Sequence, residues 1–218
     1  MAKLPCALGL KIHLTNILEN AVTIEEMIKA GIAYRPRKFI TPEIIHSVLV
    51  QESELCSTFE KTDRQYRLNM NTAMKLTGKT EAEVLKLVTL SNGKIAKFRL
   101  EPSYFNKVAL KSLPFETRFY LSISTGLAQK MGALLVGKPY TNVKSTIMGF
   151  AGNEPLQVLY AAGDMEAGMR RAFLSPEVKK KDLKSLAYHG YSAYNSGSII
   201  PKKAEVAKRC QEVVSRLS

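Results

Sequence analysis

Tyr34-Arg35-Pro36-Arg37-Lys38-Phe39 sets three cations between two aromatic rings, in a stretch that Pro36 keeps out of a helix. Guanidinium groups pair phosphate oxygens two at a time and rings stack on bases, so this mixture suits single-stranded nucleic acid. Arg64 and Arg67 flank Tyr66 at a spacing of three, which places both guanidinium groups on one face of a predicted helix that continues through Lys75 and Lys79. Arg170-Arg171 and Lys179-Lys180-Lys181, with Lys184, flank Ser175-Pro176-Glu177. Lys94, Lys97 and Arg99 follow a turn signal, and Arg118, Lys130 and Lys144 lie in a segment without acids. The alternative for each run is a solvated face, and for the rings a place in the core. Tyr188, Tyr191 and Tyr194 read as core packing, with their hydroxyls satisfied at a turn.

These cations belong to an uneven distribution. The net charge is +13, yet residues 1–60 carry six Lys/Arg against seven Asp/Glu, which leaves twenty-six against twelve for the rest. Between Glu116 and Glu154 there is no acid at all, while Arg118, Lys130, Lys138 and Lys144 fall inside that window. A surplus gathered this way implies a polyanionic partner.

Catalytic and cofactor patterns do not emerge. Ala73 to Thr80 resembles the end of a G-x-x-x-x-G-K-[ST] phosphate loop, but Ala73 stands at the first glycine and the flanking residues read as helix. His13, His46 and His189 are isolated, and no G-x-S-x-G or H-E-x-x-H string occurs. Glu52 and Glu54 are two apart, and Asp164 with Glu166 reads as dipole complementarity at a helix start. The expectation is therefore a protein that is not an enzyme and needs no metal or cofactor.

The elements that must position the cations read as mainly helical. Thr23 with Glu26 and Thr80 with Glu83 have capping-box spacing. Thr41-Pro42-Glu43, Ser175-Pro176-Glu177 and, more loosely, Asn153-Glu154-Pro155 mark three further starts. Phe119, Ile123, Leu127, Met131 and Leu135 recur every four residues and predict a central helix of about five turns. Val206, Cys210, Val213, Val214 and Leu217 predict an amphipathic C-terminal helix. Asn92-Gly93, followed by alternating Ala96, Phe98 and Leu100, predicts a small hairpin near residues 88–100 that displays Lys97 and Arg99. Pro102 closes that segment. The expected fold is one compact, mainly α domain of 218 residues with a basic cleft, divided into lobes 1–100 and 101–218.

Hydrophobic residues at 45% and charged residues at 23% are ordinary for a globular protein. Cys6, Cys56 and Cys210 have no disulfide or metal spacing and fit a reducing compartment. No apolar run approaches a membrane span, and the run near the N-terminus is too short for a signal peptide, so a cytoplasmic location is expected, or a virion if the source is viral.

Together these features suggest a non-enzymatic structural protein that coats single-stranded RNA through its phosphate backbone with little sequence preference. Viral nucleocapsid and coat proteins share this general character of size, charge and missing catalytic motif, an analogy that carries over no residue. The apolar N-terminal segment, with Leu8, Leu10, Ile12, Leu14, Ile17 and Leu18, would link protomers into a homo-oligomer. Two alternatives come from other classes. One is a basic, matrix-like peripheral protein that meets anionic membrane through its C-terminal helix. The other is a nucleic-acid-processing enzyme with an unrecognised site.

Overall fold

Capping chemistry fixes several helices where the sequence puts them. In the computed structural model, which describes residues 39–136 and 138–217, Thr41 accepts from the Ile44 N–H and opens helix α1, Pro42–Ser53. The Thr23 cap, the cations Arg35, Arg37 and Lys38, and the apolar N-terminal segment lie outside the described residues. The fold is mainly α, with ten α-helices and two small antiparallel sheets among the described residues. Its contacts divide it into two compact units, one of residues 56–157 and one whose described part is 39–55 and 158–217. The boundary expected near residue 100 falls instead at the end of a strand paired to residues 123–125, so the sheet joins what that boundary would separate.

The 56–157 unit begins with strand β1, Thr58–Phe59, and helix α2, Arg64–Thr77, which stops at Gly78 in a left-handed conformation. Ala73 is buried inside α2, so the residues that resemble a phosphate loop are helix and cap. Helix α3, Glu81–Val88, opens on the expected capping box. The Thr80 backbone N–H, the Thr80 hydroxyl and Lys79 hold the Glu83 carboxyl down at about 2, against a slight opposing effect of burial. The expected turn at Asn92-Gly93 is present, with Gly93 at φ 79° and the Leu90 N–H donating to the Lys94 carbonyl. Strands β2, Ile95–Ala96, and β3, Phe98–Leu100, then find separate partners: β2 pairs with β1, and β3 with β4, Ile123–Thr125. Lys97, between them, is only 9% exposed. The expected display of two cations on one face therefore reduces to Arg99.

The central helix expected over 119–135 does not form. Helix α4, Pro102–Phe105, and a 3-10 turn, Val108–Leu110, lead into α5, Phe115–Ser122. The chain then becomes β4 and, after a turn at Gly126 and Gln129 with φ of 73° and 45°, strand β5, Lys130–Met131. Helix α6, Gly132–Leu135, and helix α7, Val143–Gly152, follow. A repeat of four is also a multiple of two, so it fits extended backbone as well as a helix, and Ile123 is buried on β4 while Leu127 is buried in the turn that follows. Every residue from Phe119 to Ala128 is buried, which leaves no polar face for a surface helix. Phe98, Leu100, Phe119, Tyr120 and Ile123 form the core with Met70 and Val88. The Asn69 amide ties α2 to β3 by donating to the Phe98 carbonyl at 2.6 Å.

The long helix is α8, Glu154–Leu174, begun by Asn153, whose side chain accepts from the Leu156 N–H. Asp164 and Glu166 therefore lie inside a helix and not at its start. Gln157 is fully buried, accepts from the Leu127 N–H and donates to the Phe150 and Ala151 carbonyls at 2.8 and 3.0 Å.

In the other unit, α8 packs on α9, Leu183–Ser196, through paired glycines. A Cβ on Gly168 would lie 2.7 Å from the Gly190 carbonyl, and one on Gly190 would lie 2.5 Å from Met169 Cγ. Helix α10, Ala204–Ser215, buries Val206, Cys210 and Val213, as its stripe predicts. The helix expected at Ser175-Pro176-Glu177 is a turn, in which Ser175 Oγ accepts from the Glu177 N–H at 3.2 Å. Helix α9 starts later, capped by Asp182. Serine before proline serves turns and caps alike, and here the α8 terminus decides: Lys181 Nζ donates to the Ala172 and Ser175 carbonyls at 2.9 and 2.6 Å.

Candidate nucleic-acid interface

The segment from α4 to α5 interleaves rings with cations. Tyr104 and Lys107 are three apart, and the short α4 followed by a 3-10 turn brings the Lys107 ammonium 5.2 Å from the Tyr104 ring centre. On α5, Arg118 lays its guanidinium 4.2 Å from the Phe105 ring, while Lys79, from the α2–α3 connection, sits 4.8 Å from the Phe115 ring. Phe105 and Phe115 meet edge to face at 6.4 Å. Three cations thus stand on three neighbouring rings of one unit. Each such contact is worth about 0.5–1 kcal/mol at exposed sites and fixes the direction of a side chain that would otherwise roam.

Arg118 has one further property. Its Nε is buried and has no hydrogen-bond partner among the described residues. A buried N–H left unpaired costs about 1–3 kcal/mol.

A cavity of about 570 Å3 opens beside this segment, lined by Glu116, Tyr120, Tyr140, Val143, Lys144 and Met148 among others. Tyr140 is half-buried, and the Tyr104 phenol is pushed up, first by burial and then by Tyr140. The Tyr120 hydroxyl is already spent, donating to the Leu87 carbonyl at 2.8 Å, and burial pushes its pKa well up. Lys144 and Ser145 lie in the first turn of α7, which contains no acid.

No family model, curated protein or solved structure matches this chain. Function has to be read from the chemistry of the face itself.

The other predicted cations divide by burial and pairing. Arg64, Arg67 and Lys94 are exposed, and Arg67 donates to the Thr62 carbonyl. Tyr66, between the arginines, is no stacking platform: it is buried, and its hydroxyl donates to Glu81 at 2.5 Å. Burial, then Glu81, pushes its phenol up to about 12. Lys97 and Lys130, at 9% and 5% exposure, are corrections to the surface set, because both lie along the sheet region and turn inward. Arg99 is exposed but paired with Glu101 at 2.6 Å. In the other unit, Arg170 pairs with buried Glu166 at 2.8 Å, Arg171 donates to the Gly197 carbonyl, and Lys180 and Lys184 are exposed.

Tyr104, Lys107 and Tyr140 are absent from the sequence-based set. The signal that singles out Tyr34 to Phe39, cations interleaved with rings, is equally present from Tyr104 to Phe119. Tyr140 joins them only through the fold. Among the described residues no group of three or more His, Cys, Asp or Glu side chains could hold a metal ion, and no helix is long and apolar enough to cross a membrane.

Proposed function

We propose that the protein is a non-enzymatic structural protein that binds single-stranded nucleic acid, RNA by preference, through its phosphate backbone and with little sequence preference. The observation that carries this reading is the row of three cations held on rings in one unit, Arg118 on buried Phe105, Lys107 on Tyr104 and Lys79, which also pairs with Glu83, on Phe115. Phosphate oxygens are natural acceptors for guanidinium and ammonium groups, and rings beside fixed cations are the recurring equipment of sequence-tolerant strand binding. The acid-free window from 117 to 153 supplies the field. Coating a long strand requires repeated protomers, for which the N-terminal segment is the candidate link. Anionic lipid is the weaker reading, because the apolar residues of α10 are spent on packing: Val206, Cys210 and Val213 are all buried.

Replacing Arg118 and Lys107 together by glutamine is expected to weaken binding of a fluorescent oligoribonucleotide about tenfold, alike for every base composition, by the loss of two phosphate contacts. Circular dichroism checks that the variant is folded. The same RNA incubated with divalent metal is expected to stay intact. Unchanged affinity in the folded variant contradicts the assignment, and cleavage abolished by a point substitution contradicts the non-enzymatic role.

A further inference from the structure

The cavity beside Tyr140 has a makeup that backbone binding does not require. Its volume, about 570 Å3, lies within the range of sites that enclose small ligands. Its walls combine an aromatic ring, Tyr140, with the apolar Val143 and the polarisable thioether of Met148, a lining suited to a flat heterocycle. One wall carries Glu116, whose negative charge opposes entry of a phosphate. Lys144 is exposed and belongs to the same lining, so a cation stands where an anionic group outside the cavity would lie. Glu116 and Thr117 of α5 line the cavity, and Arg118 follows them in the same helix.

We propose that this cavity receives one unstacked base of the bound strand, its flat face against Tyr140 and Met148, with the adjoining phosphate held outside by Lys144. This rests on the reading of the α4–α5 face as a nucleic-acid surface and adds to it a socket for a base. Every base offers a flat face, so such a socket adds affinity without strict sequence readout. It also sets a register, since a strand with a base seated there cannot slide freely past the cations.

The test compares two strands about 12 nucleotides long, within the span that one compact binding domain covers. One is an ordinary oligoribonucleotide and the other the same ribose-phosphate backbone without bases, each titrated against the full chain and its Tyr140→Ala and Tyr140→Phe variants. The natural protein is expected to bind the base-bearing strand about tenfold more tightly than the abasic one, the size of a single base–ring stack. Tyr140→Ala should abolish that difference while leaving the abasic affinity unchanged, and Tyr140→Phe should keep it, because the ring and not the hydroxyl does the stacking. Should Tyr140→Ala fail to fold, Met148→Gln takes its place, with the same loss of the difference expected. Equal binding of the two strands overturns the socket and leaves backbone binding standing. A Tyr140→Ala variant that retains the tenfold difference places the base elsewhere and also overturns it. Absence of binding to either strand overturns both proposals.

Discussion

Gly126→Ala is expected to lower the stability of the protein by about 3–5 kcal/mol, a large part of the 5–15 kcal/mol that holds most domains folded. Two costs combine. The residue has φ +73°, where a side chain costs about 1–2 kcal/mol. Its new Cβ would lie 2.0 Å from Gln157 Oε1 and 2.6 Å from Gln157 Cδ, so the glutamine must move. Gln157 has no slack, being fully buried and bonded to the Leu127 N–H and to the Phe150 and Ala151 carbonyls. Each buried partner left unmatched costs about 1–3 kcal/mol. Gly93→Ala is the control: its φ is +79°, and nothing lies within 4 Å of the added Cβ, so only the backbone cost of about 1 kcal/mol applies. Urea unfolding of the two variants separates the effects. A Gly126→Ala loss no larger than that of Gly93→Ala would show that the contact with Gln157 is not the source.

Glu52→Ala is expected to cost about 3 kcal/mol, as for breaking a buried pair by removing one partner. One carboxylate oxygen accepts from the Tyr191 hydroxyl at 2.5 Å and from Arg209 Nη2 at 3.0 Å, which ties α1 to both α9 and α10. The Glu52 side chain is 9% exposed and that of Arg209 22%, so water compensates the arginine only in part once the carboxylate is gone. Tyr191 is fully buried, stacks on Tyr194 at 6.0 Å, and has its phenol pushed far up, first by burial and then by Glu52. Tyr191→Phe removes a single hydrogen bond and should cost about 1–1.5 kcal/mol. Arg216, exposed and bonded to Gln51, is the contrasting pair, and Arg216→Ala should stay within about 0.5 kcal/mol. Thermal melts of the three variants check the ranking, and a Glu52→Ala melt indistinguishable from that of Arg216→Ala would refute the tie.

The mainly α class was legible because it is written in local chemistry. Thr41, Thr80 and Asn153 open helices as their side chains dictate, and the stripe of α10 turns inward as its spacing requires. What could not be read locally was decided by distant partners. A four-residue repeat fits a helix face and a strand face equally, and β4 became a strand because β3 was there to pair with it. Ser175-Pro176 became a turn because Lys181 reaches back to close α8. Arg118 and Lys144 were visible in the acid-free window, whereas the burial of Lys97 was hidden by an alternation that suggested an exposed strand face, and that of Lys130 by the helix expected over 119–135. The cavity was the least legible feature, since α5, Tyr140 and α7 contribute to it from separate stretches of the chain.

The most direct measurement of nucleic-acid binding is the affinity of the full chain for a single-stranded oligoribonucleotide across a series of salt concentrations. Neutralised phosphates release counterions, so the logarithm of the association constant is expected to fall linearly with the logarithm of salt, with a slope of about −0.7 for each phosphate held. Strands of different base composition should give parallel lines. No binding at low salt, or an affinity that does not change with salt, would contradict the assignment of this basic surface to a nucleic-acid backbone.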